Sequence, residues 1–265
     1  MEKILVGNKK LFTILGTPRS GTTWFGKVLY LYLQRKHNFQ FYYDGYFSQK
    51  AYHEIMPDGR WFHYQVHMLN RFYQLPVLDK QGLIHASCIY EPRNMKPADE
   101  TKYKIEVLQA TKSKILIKQH PQELTKESRK LVLSYPHIFL KRRNTWEQLL
   151  SYLLSGHTKS YVIMRGQKLY KIKPNSITAQ LLEVARFMNM VKEDDLLLNK
   201  KSNIIYFEDI PFRNPNKLLS NLGLEPILTR KDTARFSVKQ QYGNKERFFS
   251  NIDKIRDIYD NTKNN

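Results

Sequence analysis

Lys10-Leu11-Phe12-Thr13-Ile14-Leu15 runs directly into Gly16-Thr17-Pro18-Arg19-Ser20-Gly21-Thr22-Thr23, and an apolar helical pattern of Trp24, Phe25, Val28, Leu29, Leu31 and Tyr32 follows at once. Strand, Gly-containing turn and helix in that order open an α/β domain. Similar short apolar runs recur at Ile115–Ile117, His137–Leu140 and Ile204–Phe207, each followed by a polar turn. Helical stretches lie between them, clearest at Thr145–Leu154 and Ile177–Leu198. This alternation predicts a three-layer, P-loop-like α/β domain whose central, mostly parallel β-sheet is flanked by helices. No repeat of fixed period and no linker rich in Gly or Ser divides residues 1–265, so one domain is expected. The polar tail after Asp257 is expected to fray.

Composition narrows the class. Apolar residues make up 41% of the 265, enough for a core, which excludes a wholly disordered chain. The single cysteine, Cys88, excludes an intrachain disulfide framework and a Cys-based zinc cluster, and fits a reduced compartment. No apolar run approaches the roughly 20 residues that span a bilayer. Lys9 and Lys10 interrupt the N-terminal stretch before a signal-type core develops, so a soluble, cytoplasmic protein is expected. Lys+Arg number 44 against 24 Asp+Glu, and the resulting charge of +20 calls for an anionic partner. Charge alone leaves nucleic acid, a membrane surface, a nucleotide and an acidic acceptor all open.

The turn Gly16–Thr23 decides between these. Small and hydroxyl residues between a strand and a helix aim several backbone N–H groups at one anion. The helix N-terminus adds partial positive charge, and the hydroxyls of Ser20, Thr22 and Thr23 add donors. Gly16 and Gly21 have the Gly-x4-Gly spacing of a Walker A loop, but Thr22 stands where the Walker Lys is required, and the basic residue is Arg19, inside the loop. Pro18-Arg19-Ser20-Gly21-Thr22-Thr23-Trp24 closely resembles the 5′-phosphosulfate loop of sulfotransferases that use 3′-phosphoadenosine 5′-phosphosulfate (PAPS), and is nearest to the cytosolic type. The resemblance implies that Arg19 meets the transferring sulfuryl group, that Ser20, Gly21, Thr22 and Thr23 hold the 5′-phosphate, and that Trp24 stacks on adenine.

Two further segments extend the likeness. Phe139-Leu140-Lys141-Arg142-Arg143-Asn144 is a strand running into a basic turn, where Arg143 and, along the next helix, Ser151 are suited to grip one phosphate. Arg143-Asn144 and Ser151-Tyr152 match the spacing of the family's 3′-phosphate motif. Ile115-Leu116-Ile117-Lys118-Gln119-His120-Pro121 is an apolar strand ending in Lys-x-His-Pro, at the strand end where parallel sheets place catalytic groups. It resembles the family's Lys-x-His segment, which implies His120 as general base and Lys118 on the sulfuryl or bridging oxygens. An imidazole with an unperturbed pKa near ~6.5 suits that task. Other branches use a Glu, for which Glu91 and Glu54 are the alternatives. Ile205-Tyr206-Phe207-Glu208-Asp209 resembles an adenine-side segment that is usually Tyr-Glu-Asp, with Phe207 keeping the ring and losing the hydroxyl. The family's C-terminal Arg-Lys-Gly segment is not evident, and Lys239, Lys245 and Arg247 are the basic residues near that place.

The resemblance thus implies a PAPS-dependent sulfotransferase acting on an acceptor hydroxyl or amine by in-line displacement, with no metal and with neither nucleic acid nor membrane as partner. A nucleic-acid-binding protein, or a P-loop kinase or NTPase with a degenerate loop, are the competing readings. Gln148–Leu182 has no acidic residue yet carries Lys159, Arg165, Lys168, Lys171 and Lys173, so it is either a solvated basic loop or one wall of a cleft for an anionic small molecule or saccharide. Phe39–Tyr73 holds 12 aromatics in 35 residues, read mainly as core and in part as cleft lining. His63 and His67, with His53 nearby, have i, i+4 spacing, but no acidic or Cys ligand accompanies them.

Overall fold

A computed structural model describes residues 10–47, 53–55, 61–63, 77–78, 84–85, 97–158, 163–164, 171–198, 203–212, 214–229, 232, 237–238 and 243–264. The strands are β1 (Leu11–Leu15), β2 (Phe41–Asp44), β3 (His53–Ile55), β4 (Trp61–His63), β5 (Val77–Leu78), β6 (Ile84–His85), β7 (Ile115–Gln119), β8 (His137–Lys141), β9 (Ile163–Met164), β10 (Asn203–Tyr206) and β11 (Ser237–Val238). The helices, numbered in chain order, are α1 (Thr22–His37), α2 (Pro97–Ala110), α3 (Lys126–Ser134), α4 (Thr145–Thr158), α5 (Leu181–Leu197), α6 (Pro215–Asn221) and α7 (Ile252–Asn264).

The main sheet has the order β10-β8-β1-β7-β2-β3-β4. Its first five strands are parallel, and β3 and β4 extend it antiparallel from the β2 side. The pairs β5–β6 and β9–β11 stand apart from it. The apolar runs predict this burial. Every residue of β1 and β7 is buried, as expected of parallel strands covered on both faces. Alternation divides the two layers. Phe12 and Ile14 of β1 join Tyr42, Leu116, Ile138 and Leu140 under α1 and α6. Leu11 and Leu15 join Phe41, Tyr43, Ile115, Ile117 and Phe139 under α2 and α3. The expected three-layer arrangement, a mostly parallel sheet between helices, is therefore present. A third apolar cluster joins α4, α5 and α7 through Leu149, Leu150, Val184, Phe187, Ile255 and Tyr259.

Two expectations, on the tail and on the start of α5, change. The tail does not fray from Asp257: α7 runs to Asn264, and Tyr259 is buried against Trp146, its hydroxyl bonded to Thr145 Oγ1. Helix α5 begins at Leu181 rather than Ile177, because the Ile177 and Ala179 backbone pairs with Phe248, Ser250 and Asn251. Phe39, Phe41, Tyr42, Tyr43, Tyr46 and Phe47 are all buried, and the aromatic stretch contributes a parallel strand, so its described part is core rather than cleft. His63 lies in a strand, opposite His53, so the helical i, i+4 relation to His67 does not apply. Among the described residues, no helix is long and apolar enough to cross a membrane.

Candidate functional site

The C-terminal ends of β1, β7, β8 and β10 lie side by side, and the loops that leave them hold the expected site residues. The loop after β1 is shaped by two left-handed residues, Arg19 (φ 70°) and Gly21 (φ 84°), on either side of Ser20. A non-glycine side chain at such a φ is strained, and it persists only where its surroundings fix it. Arg19 is fixed by α4: its Nε donates to Ser151 Oγ at 3.1 Å, and Gln148 Nε2 donates to the neighbouring Pro18 carbonyl at 2.8 Å. Gly16 allows a close approach, since a Cβ there would lie 2.5 Å from the Leu140 carbonyl of β8.

Gly21 is also the N-cap of α1, offers no side-chain cap, and precedes a first turn without an acidic residue. A helix N-terminus left this way suits an anion. Of the three hydroxyls, Ser20 is fully buried and donates to the Thr17 carbonyl at 2.7 Å, so it braces the loop; Thr22 is buried and Thr23 half-buried.

Trp24 is buried with its ring 5.1 Å from Phe212, and Phe212 in turn lies 4.8 Å from Phe207. Phe212 therefore stands between the two rings expected to face adenine. The Arg142 guanidinium lies 4.4 Å over Phe207, and burial pushes its pKa below the usual arginine range.

Register places the candidate base. Leu15 pairs with Gln119, which brings Gly16 beside His120. His120 Nδ1 lies 2.6 Å from the Gly16 carbonyl, and a carbonyl only accepts, so Nδ1 carries the hydrogen. Nε2 is then the acceptor, and it faces Lys118 Nζ at 2.9 Å. Lys118 is 5% exposed and Gln119 is fully buried. A β7 residue and the phosphate loop thus share one hydrogen-bonded unit.

In the basic turn after β8 and along α4, both expected phosphate ligands have protein partners. Ser151 accepts from Arg19. Arg143 makes a bidentate bond to Asp209, at 2.8 and 2.7 Å, and its guanidinium lies 4.1 Å over the Tyr206 ring. Glu208 accepts from the backbone N–H groups of Arg143 (3.1 Å) and Asn144 (3.3 Å). Carboxylates therefore occupy the donors that a phosphate would use. Arg143 holds the Asp209 carboxyl below the usual carboxylate range. Of the C-terminal cations, Lys245 is paired with Glu147 on α4, and Arg247 lies over the Phe248 ring.

One residue escaped the sequence reading. Asp194, near the end of α5, is 2% exposed and accepts from the Thr17 hydroxyl through Oδ2. Burial raises its pKa to about 7. Its neighbour Asp195 pairs with Lys141 at the end of β8. No motif marks Asp194; the only signal was an acidic pair at the polar end of a helix. Glu91, Lys159, Arg165, Lys168, Lys239 and His67 lie outside the described residues, and of Glu54 only its place on β3 is described. Comparison of the chain with models of known families and with curated proteins found no match.

Proposed function

We propose that the protein is a sulfotransferase that moves a sulfuryl group from PAPS to an acceptor hydroxyl or amine. The observation that carries this reading is the joining of three sequence-distant motifs: Arg19 reaches Ser151, and His120 reaches Gly16. A nucleic-acid-binding surface has no need of such convergence. A Walker-type kinase would need a Lys where Thr22 stands.

In this reading PAPS supplies the sulfuryl group and a good leaving phosphate. The N–H groups around Ser20–Thr23 and the α1 N-terminus hold the 5′ end of the nucleotide. Ser151 and Arg143 serve the 3′-phosphate, which takes the place of Asp209 on the Arg143 guanidinium. The Nδ1–H bond to Gly16 keeps the Nε2 lone pair of His120 directed at the acceptor's proton. Lys118, which stands beside Nε2, and Arg19 would supply positive charge for the departing oxygen. Lys171 and Lys173 are exposed, and with Lys168 they raise the local concentration of an anionic acceptor.

The test is release of adenosine 3′,5′-bisphosphate from PAPS, followed over a panel of anionic, neutral and cationic acceptors. Acceptor-dependent release without added metal supports the reading, with anionic acceptors the best. No release with any acceptor, alongside Mg²⁺-dependent turnover of ATP, would replace it with the kinase.

A further inference from the structure

Asp194 is a buried carboxyl group for which the chemistry above has no use. It lies on α5, and Thr17, the second residue of the phosphate loop, donates to it through its hydroxyl and its backbone N–H. Its other oxygen, Oδ1, is buried without a hydrogen-bond partner among the described residues. A buried carboxylate with one oxygen left dry is costly to keep ionised.

The direction of the Thr17 bond depends on that charge. A hydroxyl has one hydrogen to donate. When Asp194 is ionised, the Thr17 hydroxyl must donate to Oδ2. When Oδ2 carries a proton it donates to Thr17 Oγ1 instead, and the hydroxyl hydrogen is released to another acceptor. An anion entering the loop is such an acceptor, and its charge also opposes a nearby carboxylate.

We propose that Asp194 is a positioning residue of the phosphate loop that takes up one proton from solvent when a dianion binds, turning the Thr17 hydroxyl from a donor to Asp194 into a donor to the loop. This rests on the reading of Gly16–Thr23 as the 5′-phosphate site. The raised proton affinity of Asp194, whose pKa stands at about 7, puts the exchange near neutrality.

The surrounding charges do not supply a substitute. Asp195 on the same helix favours the protonated form, and Lys141 at the end of β8 opposes it. The 121–123 turn that packs on α5 brings Glu123, engaged by Gln119, and follows His120. Along the rest of α5, Glu147 of α4 is paired with Lys245, and Arg256 of α7 with Glu246.

The sign follows from linkage. If the bound anion raises the proton affinity of Asp194, the anion binds most tightly where Asp194 is already protonated, below about pH 7. Affinity then falls as pH rises, and levels off once Asp194 is ionised in the complex too. A rise of one pH unit in proton affinity corresponds to about tenfold in binding.

The experiment is calorimetric titration of the full-length protein with adenosine 3′,5′-bisphosphate, and separately with inorganic pyrophosphate, from pH 6.5 to 9, in buffers of different ionisation heat. Wild type is expected to lose about tenfold in affinity across this range and to take up about half a proton near pH 7.5, the maximum for a shift of this size. Asp194→Asn, whose amide donates permanently to Thr17, should bind with little pH dependence and without the extra proton. Every other titratable group is common to both proteins, so the difference between them isolates Asp194. Binding by wild type with no proton uptake overturns the proposal, and so does an unchanged pH profile in the variant. If the nucleotide fails to bind at every pH while pyrophosphate binds with proton uptake, the sulfotransferase reading falls and the linkage stands. If neither probe binds at any pH, both fall. The absence of proton uptake on wild type overturns the proposal even where the variant does not fold.

Discussion

Replacing Gly21 with alanine strikes the loop and the ring cluster together. The residue sits at φ 84°, where an L side chain costs about 1–2 kcal/mol. An added Cβ would lie 2.9 Å from Phe212 Cζ and 3.0 Å from Phe207 Cδ2, so both rings must move. Because these are ring edges rather than backbone, that displacement adds about 1 kcal/mol, at the low end of overpacking costs. The sum is about 2–3 kcal/mol, or about 5–10 °C in Tm for a chain of this size. Gly223 supplies the control: it has φ 68°, but an added Cβ there meets nothing within 4 Å, so Gly223→Ala should show the backbone cost alone. Thermal unfolding followed by circular dichroism measures both. The Gly21 variant should melt lower than the Gly223 variant and bind adenosine 3′,5′-bisphosphate at least about tenfold more weakly, since it displaces Phe207, assigned to the base, and Phe212, which stands between Phe207 and Trp24. Equal melting of the two variants with unchanged nucleotide affinity would show that Phe207 and Phe212 do not rest on the loop.

Other consequences are equally direct. His120→Ala should lower kcat by roughly 10²–10⁴-fold with cofactor binding nearly intact; a near-normal kcat would pass the base role to Glu54 or Glu91. Arg143→Ala should weaken bisphosphate binding by about 1.5–3 kcal/mol, while leaving binding of a nucleotide without the 3′-phosphate unchanged; Ser151→Ala, which also releases Arg19, should weaken both ligands and the bisphosphate more. Equal losses for both ligands in the Arg143 variant would remove that residue from the 3′ site. The folded-state pKa of Asp194 is about 7, above the 3.8 of an unperturbed aspartate, so the native state binds the extra proton between these values and stability falls as pH rises through that window. Its full extent is at most about 4 kcal/mol, and it should vanish in Asp194→Asn. Urea melts at pH 5 and pH 8 that show the same gap between wild type and variant would refute it.

The order of layers was legible because the buried parallel strands are continuous apolar runs, and because Gly16–Gly21, with its glycines and proline, breaks the chain between strand and helix. Strand β2 was not, since Phe41–Asp44 is embedded in an aromatic stretch that reads mainly as core but shows no strand boundary. The motifs named Arg19, His120 and Ser151, but spacing carries no partners. That Ser151 meets Arg19 depends on where α4 crosses the loop. The carboxylates of Glu208 and Asp209 on the basic turn were hidden because β10 lies about sixty residues beyond β8 and reaches it only through the sheet. Asp194 was invisible for the same reason: helical position marks a residue as polar or apolar, and burial against a distant threonine is a tertiary fact.

The central claim is that the loop after β1 and the turn after β8 hold the two phosphates of one nucleotide. It is tested most directly by equilibrium binding of adenosine 3′,5′-bisphosphate, adenosine 5′-monophosphate and ATP to the wild-type protein in EDTA. The account predicts that the bisphosphate binds without metal, and that the monophosphate, lacking the 3′-phosphate, binds at least about tenfold more weakly. Equal affinity for the bisphosphate and the monophosphate, or a preference for ATP that appears only with Mg²⁺, would contradict it.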